Sequence, residues 1–177
     1  IKDLVIIGAG GFGKEVAELV CRINQNRPTW NLLGFLDENI EIGSAVGEYT
    51  VLGNLEWLDN NINVFVACAV GTCYNLQMAK NDSKFMEKLS KKTLRVATLI
   101  DPSVIITGRC LMEEGSIICA GSTLTTDIKL GKYVIINLSC TVGHDTILHD
   151  FCTVQPGVNI SGQVEIDECV DIGTGTK

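Results

Sequence analysis

Written in sixes, residues 104–177 read VIITGR CLMEEG SIICAG STLTTD IKLGKY VIINLS CTVGHD TILHDF CTVQPG VNISGQ VEIDEC VDIGTG TK. The third position of each hexad, running from Ile106 through Met112, Ile118, Leu124, Leu130 and onward to Ile172, is always apolar. The first position, from Val104 to Val170, is always small or β-branched. Neither a helix of 3.6 residues per turn nor an alternating strand keeps a six-residue period over such a length. A fixed short period means a solenoid, and the hexapeptide β-helix is the case that fits.

The physical reading is a triangular prism in which each hexad supplies one short strand and one corner. Three hexads close a coil, and the pattern spans about four coils. Residues two apart on a strand share a face, so both columns point inward. The large aliphatics fill the prism, and the small residues let its walls approach. Equivalent residues of successive coils stack roughly 4.8 Å apart, the spacing of paired strands. Spacing alone does not give the hand of the coil.

The 177 residues are enough for two small domains, with 46% hydrophobic residues for a core and only 6% aromatics, which suits a solenoid filled by Ile, Val and Leu. The apolar runs around Leu4–Ile7 and Val64–Val70 are far too short to cross a bilayer, and no basic-then-apolar signal opens the chain. A formal charge of −7 weighs against nucleic acid or an anionic membrane as a partner. Anionic cofactors are then to be held by helix N-termini and backbone amides. The eight cysteines contain no C-x-x-C pair, and Cys110, Cys140 and Cys152 occupy the small inward column. Free structural thiols in a reducing cytoplasm are expected, with no metal.

Ahead of the hexads, Lys2–Ile7 is a short apolar run leading into Gly8-Ala9-Gly10-Gly11-Phe12-Gly13, and Lys14–Arg22 has helical periodicity. That order of strand, glycine turn and helix aims backbone N–H groups and a helix dipole at a phosphate. Trp30–Leu36 reads as a second strand closing on Asp37-Glu38, where an acidic residue commonly meets a ribose. Gly43–Gly53 reads as loop, Leu55–Leu58 as a short helix, and Asn63–Val70 as a third strand ending at Gly71. Leu76–Ser90 reads as an amphipathic helix and Thr93–Leu99 as a last strand. Gly13, Asp37 and Gly71 each follow a strand and can border one crevice. A nicotinamide oxidoreductase competes for this motif, but only one mononucleotide half fits into about a hundred residues. A mononucleotide or nucleotide-sugar is the better guest.

Within the hexads Gly143-His144-Asp145 stands out. His144 falls two residues after the inward Val142, at a corner, so its ring projects from the prism. On the same edge lie Thr126 one coil earlier and Gly162 one coil later. An acyl group set against the bare backbone of Gly162 would lie near the imidazole. Acyl transfer needs that pairing: a base that titrates near neutrality and an amide for the developing oxyanion. Asp145 is placed to orient the ring and raise its basicity. A plain surface histidine is the bland alternative. His149-Asp150 follows the inward Leu148 directly and should face outward, solvated or at a subunit contact. Buried cysteines cannot carry an acyl group, so direct transfer is favoured.

Seven segments fall in order: Gly-Ala-Gly-Gly-Phe-Gly-Lys (8–14), Gly-Phe-Leu-Asp-Glu (34–38), Ala-Val-Gly (69–71), Asp-Pro-Ser (101–103), Val-Gly-His-Asp (142–145), Asp-Phe (150–151) and Pro-Gly-Val (156–158). Together they resemble the sugar acetyltransferases of the sialic acid O-acetyltransferase type, nearest to the UDP-4-amino-sugar N-acetyltransferases, such as the UDP-N-acetylbacillosamine enzyme of bacterial glycan biosynthesis. The resemblance implies a Rossmann-like UDP-sugar-binding domain over residues 1–100 and a left-handed parallel β-helix over 101–177. It implies a cytoplasmic homotrimer binding acetyl-CoA between neighbouring subunits.

By position, it makes His144 the general base with Asp145 behind it. Gly11, Phe12, Gly13, Asp37, Glu38 and Gly71 become the nucleotide-sugar contacts, and Thr153, Gly162 and Thr174 the acetyl-CoA contacts. Phe12 stands where many relatives have histidine, Asp37-Glu38 replaces a frequent Asp-Asp, and Thr153 replaces a histidine. Relatives continue past Lys177, so the β-helix is expected to be longer than the residues given. Acetylation of a UDP-linked 4-amino-4,6-dideoxy sugar is therefore expected. The alternatives are O-acetylation of sialic acid or a polysaccharide precursor, and a non-catalytic trimer that only binds a nucleotide-sugar.

Overall fold

The computed structural model describes residues 1–70 and 94–177. The helix expected over Leu76–Ser90 and the site residue Gly71 lie outside the described residues. Two compact units are present, the first holding residues 1–70 and 94–97 and the second residues 98–177.

In the first unit, β1 (Lys2–Ile7) has Leu4–Ile7 all buried, the continuous apolar run that a parallel strand covered on both faces requires. α1 (Gly11–Asn26) buries Val16, Ala17, Leu19 and Val20, the stripe its periodicity announces. Asn24 turns the chain into β2 (Trp30–Leu36): its Oδ1 accepts from the N–H groups of Thr29 and Trp30, and its Nδ2 donates to the Trp30 carbonyl. Gly43–Gly53 is not loop. It holds β3 (Ala45–Val46) and β4 (Tyr49–Gly53), an antiparallel hairpin in which β4 also pairs in parallel with β2. Gly47, at φ +62°, takes the first of the two turn positions, where a II′ hairpin turn asks for positive φ. A 3₁₀ helix (Leu55–Asn60) leads to β5, which is shorter than expected at Phe65–Cys68. With β6 (Arg95–Val96) the sheet order is β3-β4-β2-β1-β5-β6.

The run to Leu99 is two strands rather than one. Ala97 donates to the Val66 carbonyl, whereas Leu99 donates to Ser116 and opens β7 (Leu99–Ile100) of the second unit. That unit is a parallel β-helix with three faces. One stacks β7, β10 (Ile117–Ile118), β13 (Ile135–Ile136), β16 (Thr153–Val154) and β19 (Asp171–Ile172). The next stacks β8 (Ile105–Ile106), β11 (Thr123–Leu124), β14 (Thr141–Val142) and β17 (Asn159–Ile160). The third stacks β9 (Cys110–Met112), β12 (Ile128–Leu130), β15 (Ile147–Leu148) and β18 (Glu165–Ile166). Every pairing joins residues eighteen apart, as Thr123 with Thr141 and Leu124 with Val142.

Both sequence columns point inward. Ile118, Leu124, Leu130, Ile136, Val142, Leu148 and Val154 are buried, packed with Ile128, Val134, Cys140, Cys152 and Val158. Ser122 is fully buried and satisfied: its hydroxyl donates to the Asn137 carbonyl and accepts from the Cys140 N–H. At the prism's early end, Ile106 stays 39% exposed.

The corners carry a regularity of their own. Each residue three after a large aliphatic, from Gly115 to Gly175, has positive φ. Glycine and aspartate fill this left-handed position at low cost, but Tyr133, Ser139, Phe151, Gln163 and Cys169 also occupy it. Tyr133 and Phe151 offset that strain by stacking, with ring centroids 5.3 Å apart.

No described cysteine is in a disulfide. Burial pushes the Cys68, Cys140 and Cys152 thiols up. In the native protein these three should react with a thiol reagent at least about tenfold more slowly than the half-buried Cys169. Full reactivity should appear on denaturation, and a rapid native reaction of Cys140 would contradict an inward column.

Candidate active site

The edge between the second and third faces carries Gly108, Thr126, His144 and Gly162, one per coil. Val142 is fully buried, and two residues on the chain has turned the corner, so the His144 side chain is 58% exposed. Asp145 sits in the left-handed position, φ 57°, which swings its carboxylate back to the imidazole. Asp145 Oδ2 lies 2.8 Å from His144 Nδ1. A carboxylate only accepts, so the neutral ring carries its proton on Nδ1 and turns a bare Nε2 outward. The loop is pinned on both sides, with Asp145 N–H donating to Thr126 and Gln163 N–H to the His144 carbonyl.

Nε2 faces the following coil. A Cβ built on Gly162 would lie 2.5 Å from Nε2 and within 2.7 Å of two ring carbons, so the ring occupies the space a side chain there would need. A Cβ on Gly143 would fall on the Gly162 backbone nitrogen. The two glycines therefore keep one amide uncovered beside one imidazole. Gly162 N–H donates to no described residue. A base and an amide donor on one exposed edge suit a reaction that removes a proton from a nucleophile while negative charge builds on a neighbouring oxygen.

The other expected β-helix contacts lie elsewhere on the chain. Thr153 is buried in β16, on the first face, and Thr174 is exposed after β19, at a different edge. Neither shares an edge with His144 within one chain. His149 does point outward, but it is paired: its Nε2 is 2.8 Å from Glu165 Oε1, and that hydrogen bond pushes its pKa up.

In the first unit the glycine motif divides by role. Gly8, at φ +97°, makes the turn, and a Cβ on Gly13 would collide with the Gly8 carbonyl, so Gly13 allows helix and strand to approach. Gly10 and Gly11 have open space where a Cβ would be, and no side chain caps α1. Its first amides are thus left for a ligand. Phe12 is half-buried beside them. Asp37 holds this turn: its Oδ2 accepts from Ala9 N–H at 2.9 Å and its Oδ1 from Asn39 N–H at 2.9 Å.

Asp37 and Glu38 also line a cavity of about 710 Å³ with Glu41, Glu56, Asn54 and Trp57, a lining with no basic residue. Such a lining disfavours an anionic group, whereas the uncapped α1 amides are donors suited to one. Among the described residues no cluster of His, Cys, Asp and Glu is placed to hold a metal, and no helix is long and apolar enough to cross a membrane.

Sequence reasoning set Thr126 on this edge without giving it a role, and passed over Asp127 and Arg109. Thr126 Oγ1 donates to Asp127 Oδ2 at 3.2 Å, and Arg109 Nε donates to Asp127 Oδ1 at 2.7 Å. Shifting the sequence by one coil sets Thr126-Asp127 under His144-Asp145, which was the available signal.

Residues 3–78 match the model of the PglD N-terminal domain. Over 96% of its length the chain is 27% identical to GDP-perosamine N-acetyltransferase of Escherichia coli O157:H7, covering 75% of that protein. The acetyltransferase domain of PglB from Neisseria gonorrhoeae FA1090 superposes with a TM-score of 0.84 at 29% identity, covering 99% of this chain and 81% of that one. The same domain in complex with acetyl coenzyme A gives 0.84 at 28%, with 98% and 80% covered. WeeI from Acinetobacter baumannii AYE gives 0.80 at 28%, with 99% and 79% covered. The architecture is a Rossmann-like domain followed by a left-handed parallel β-helix.

Proposed function

We propose that this chain is an acetyl-CoA-dependent sugar acetyltransferase, and that its acceptor is the amine of a UDP-linked 4-amino-4,6-dideoxy sugar. The observation that carries the chemistry is the imidazole Nε2 set against Gly162, with Nδ1 tied to Asp145. His144 Nε2 takes the proton as nitrogen attacks the thioester carbon, and the Gly162 amide steadies the tetrahedral oxyanion. Collapse expels the CoA thiolate, which recovers the proton from the imidazolium. Asp145 fixes the ring throughout.

Acetyl-CoA as co-substrate is supported by the likeness to an acetyltransferase domain solved with that ligand, and N-acetylation of a nucleotide sugar by the name of the Escherichia coli relative. In the first unit the α1 amides at Gly11–Gly13 take the diphosphate, with Phe12, Asp37 and Glu38 around the rest of the guest; Gly71, outside the described residues, is kept as a contact on the resemblance alone. Thr153 and Thr174 lie off the His144 edge, so their role at acetyl-CoA requires a neighbouring subunit, as in a homotrimer. The relative is named for a GDP sugar, which makes the base the first point to test. Incubation with acetyl-CoA and a panel of UDP- and GDP-linked amino sugars and free sialic acids, read by mass for one added acetyl group, is expected to give product with a UDP-linked amino sugar. Exclusive use of a GDP sugar would overturn the base assignment, and exclusive use of sialic acid the amine. Binding of a nucleotide sugar without any thiol release would identify a non-catalytic module.

A further inference from the structure

The Gly162 amide belongs to the Ser161–Gly162 peptide, and that peptide is held from inside the prism. Thr146 is fully buried, and its hydroxyl donates to the Ser161 carbonyl at 3.2 Å. Among the described residues the Ser161 carbonyl accepts no backbone N–H, so the hydroxyl satisfies a group that the ladder skips. On either side of it the ladder is regular, with Gly143 N–H donating to Ile160 and Gln163 N–H to His144. Small inward residues serve other corners in the same way. Ser122 holds the Asn137 carbonyl, Cys140 that of Gln155 and Cys152 that of Asp167. Thr146 does this at the edge that carries His144, and it follows His144 and Asp145 directly in the chain.

We infer that Thr146 is a positioning residue, which fixes the Ser161–Gly162 peptide so that its N–H meets the developing oxyanion. The inference rests on the acetyltransferase reading above. No described peptide bond is cis, so the C=O and N–H of this planar unit point in opposite directions. A carbonyl tethered inward turns the Gly162 N–H outward. Rotating the peptide would break the Thr146 bond, and glycine itself offers little resistance to such rotation. Gly143 leaves the face of the peptide bare, since a Cβ there would collide with the Gly162 nitrogen and the Ser161 carbonyl carbon. The bond received by the carbonyl also polarises the amide and strengthens its N–H as a donor. The oxyanion carries more charge than the thioester oxygen it forms from, so a donor held in this way acts mainly in the transition state.

The test measures acetyl transfer by the full chain, with acetyl-CoA and a nucleotide-linked amino sugar, in wild type, Thr146→Val, Thr146→Ser and Thr146→Cys. Ser116→Ala is the control, because it removes a buried hydroxyl that holds the Gly131 carbonyl at a different edge. Thr146→Val should lower kcat about tenfold, part of what the loss of a whole oxyanion donor costs, with both KM values unchanged. Thr146→Ser should restore kcat. Thr146→Cys, packed as Cys140 and Cys152 are, should fall between the two, since a thiol is a weak donor. Ser116→Ala should keep the wild-type kcat. In protein labelled isotopically at the glycine nitrogens, the Gly162 amide resonance (identified by its loss in Gly162→Ala) should shift in Thr146→Val and return in Thr146→Ser. An unchanged kcat in the valine and cysteine variants, a Gly162 resonance that does not move, or an equal loss in Ser116→Ala overturns the inference. Absence of thiol release by wild type overturns the acetyltransferase reading, while the Gly162 resonance still decides whether Thr146 holds the peptide.

Discussion

Replacing His144 with alanine is expected to lower acetyl transfer by about 10²–10⁴-fold, the range that removal of a positioned general base costs. The ring is the group on its edge with a free basic nitrogen, since the neighbouring carboxylate is spent on Nδ1 and the edge residues on either side are Thr126 and Gly162. Solvent water is left to take the proton. Thermal stability should move little, because the side chain is 58% exposed and its removal opens no cavity in the prism. Binding of the nucleotide-sugar, placed in the first unit, should survive, which separates loss of chemistry from loss of structure. The measurement is free-thiol release from acetyl-CoA with the amino-sugar acceptor, paired with calorimetric binding of the nucleotide-sugar by both proteins. A variant that releases thiol at the wild-type rate would end the general-base assignment, whatever the relatives are called.

How far the sequence went is clearest at particular residues. The inward columns were legible because each coil repeats the same burial problem, and twelve repetitions of an apolar third position leave no competing period. The left-handed corner was only half legible. Gly115, Gly121 and Asp145 advertise it, but Tyr133, Phe151 and Cys169 have no local preference for positive φ. There the stacking of neighbouring coils overrides propensity, as in the parallel rings of Tyr133 and Phe151. The hairpin over Ala45–Val46 and Tyr49–Gly53 was hidden by glycine content, although Gly47 is a turn signal between β-branched runs. The division at Thr98 was not legible at all, because Val96 and Leu99 read alike and only their partners, Val66 and Ile117, differ.

At the site, His144 and Gly162 could be paired from their eighteen-residue separation. The lean of the ring and the Asp37 bond to Ala9 are side-chain conformations, which no spacing specifies. Thr153 and Thr174 show the complementary gap. Their hexad positions put them off the His144 edge, and no period in the sequence assigns them a ligand.

Gly162→Ala should cost on the order of 100-fold in kcat/KM, although it removes no functional group. The glycine's φ lies outside the left-handed region, so alanine fits the backbone and keeps the amide N–H that faces the oxyanion. Its methyl, however, would sit 2.5–2.7 Å from Nε2, Cε1 and Cδ2 of His144, closer than non-bonded carbons approach, and the ring is the part free to move. Swinging away breaks its alignment with Asp145 and carries Nε2 off the line to the thioester. A displacement near 1 Å is enough for a loss of about 100-fold. Stability should stay within about 1 kcal/mol, because the edge is exposed and the prism behind it is untouched.

The sharper measurement is the double variant. If the methyl acts only through the imidazole, Gly162→Ala should do little in a His144→Ala background, so that the two losses fail to add. Fully additive losses would mean that the glycine serves acetyl-CoA directly, through the space it leaves rather than the ring it admits. Wild-type rates in the single variant would show that the ring does not lie over this glycine during turnover.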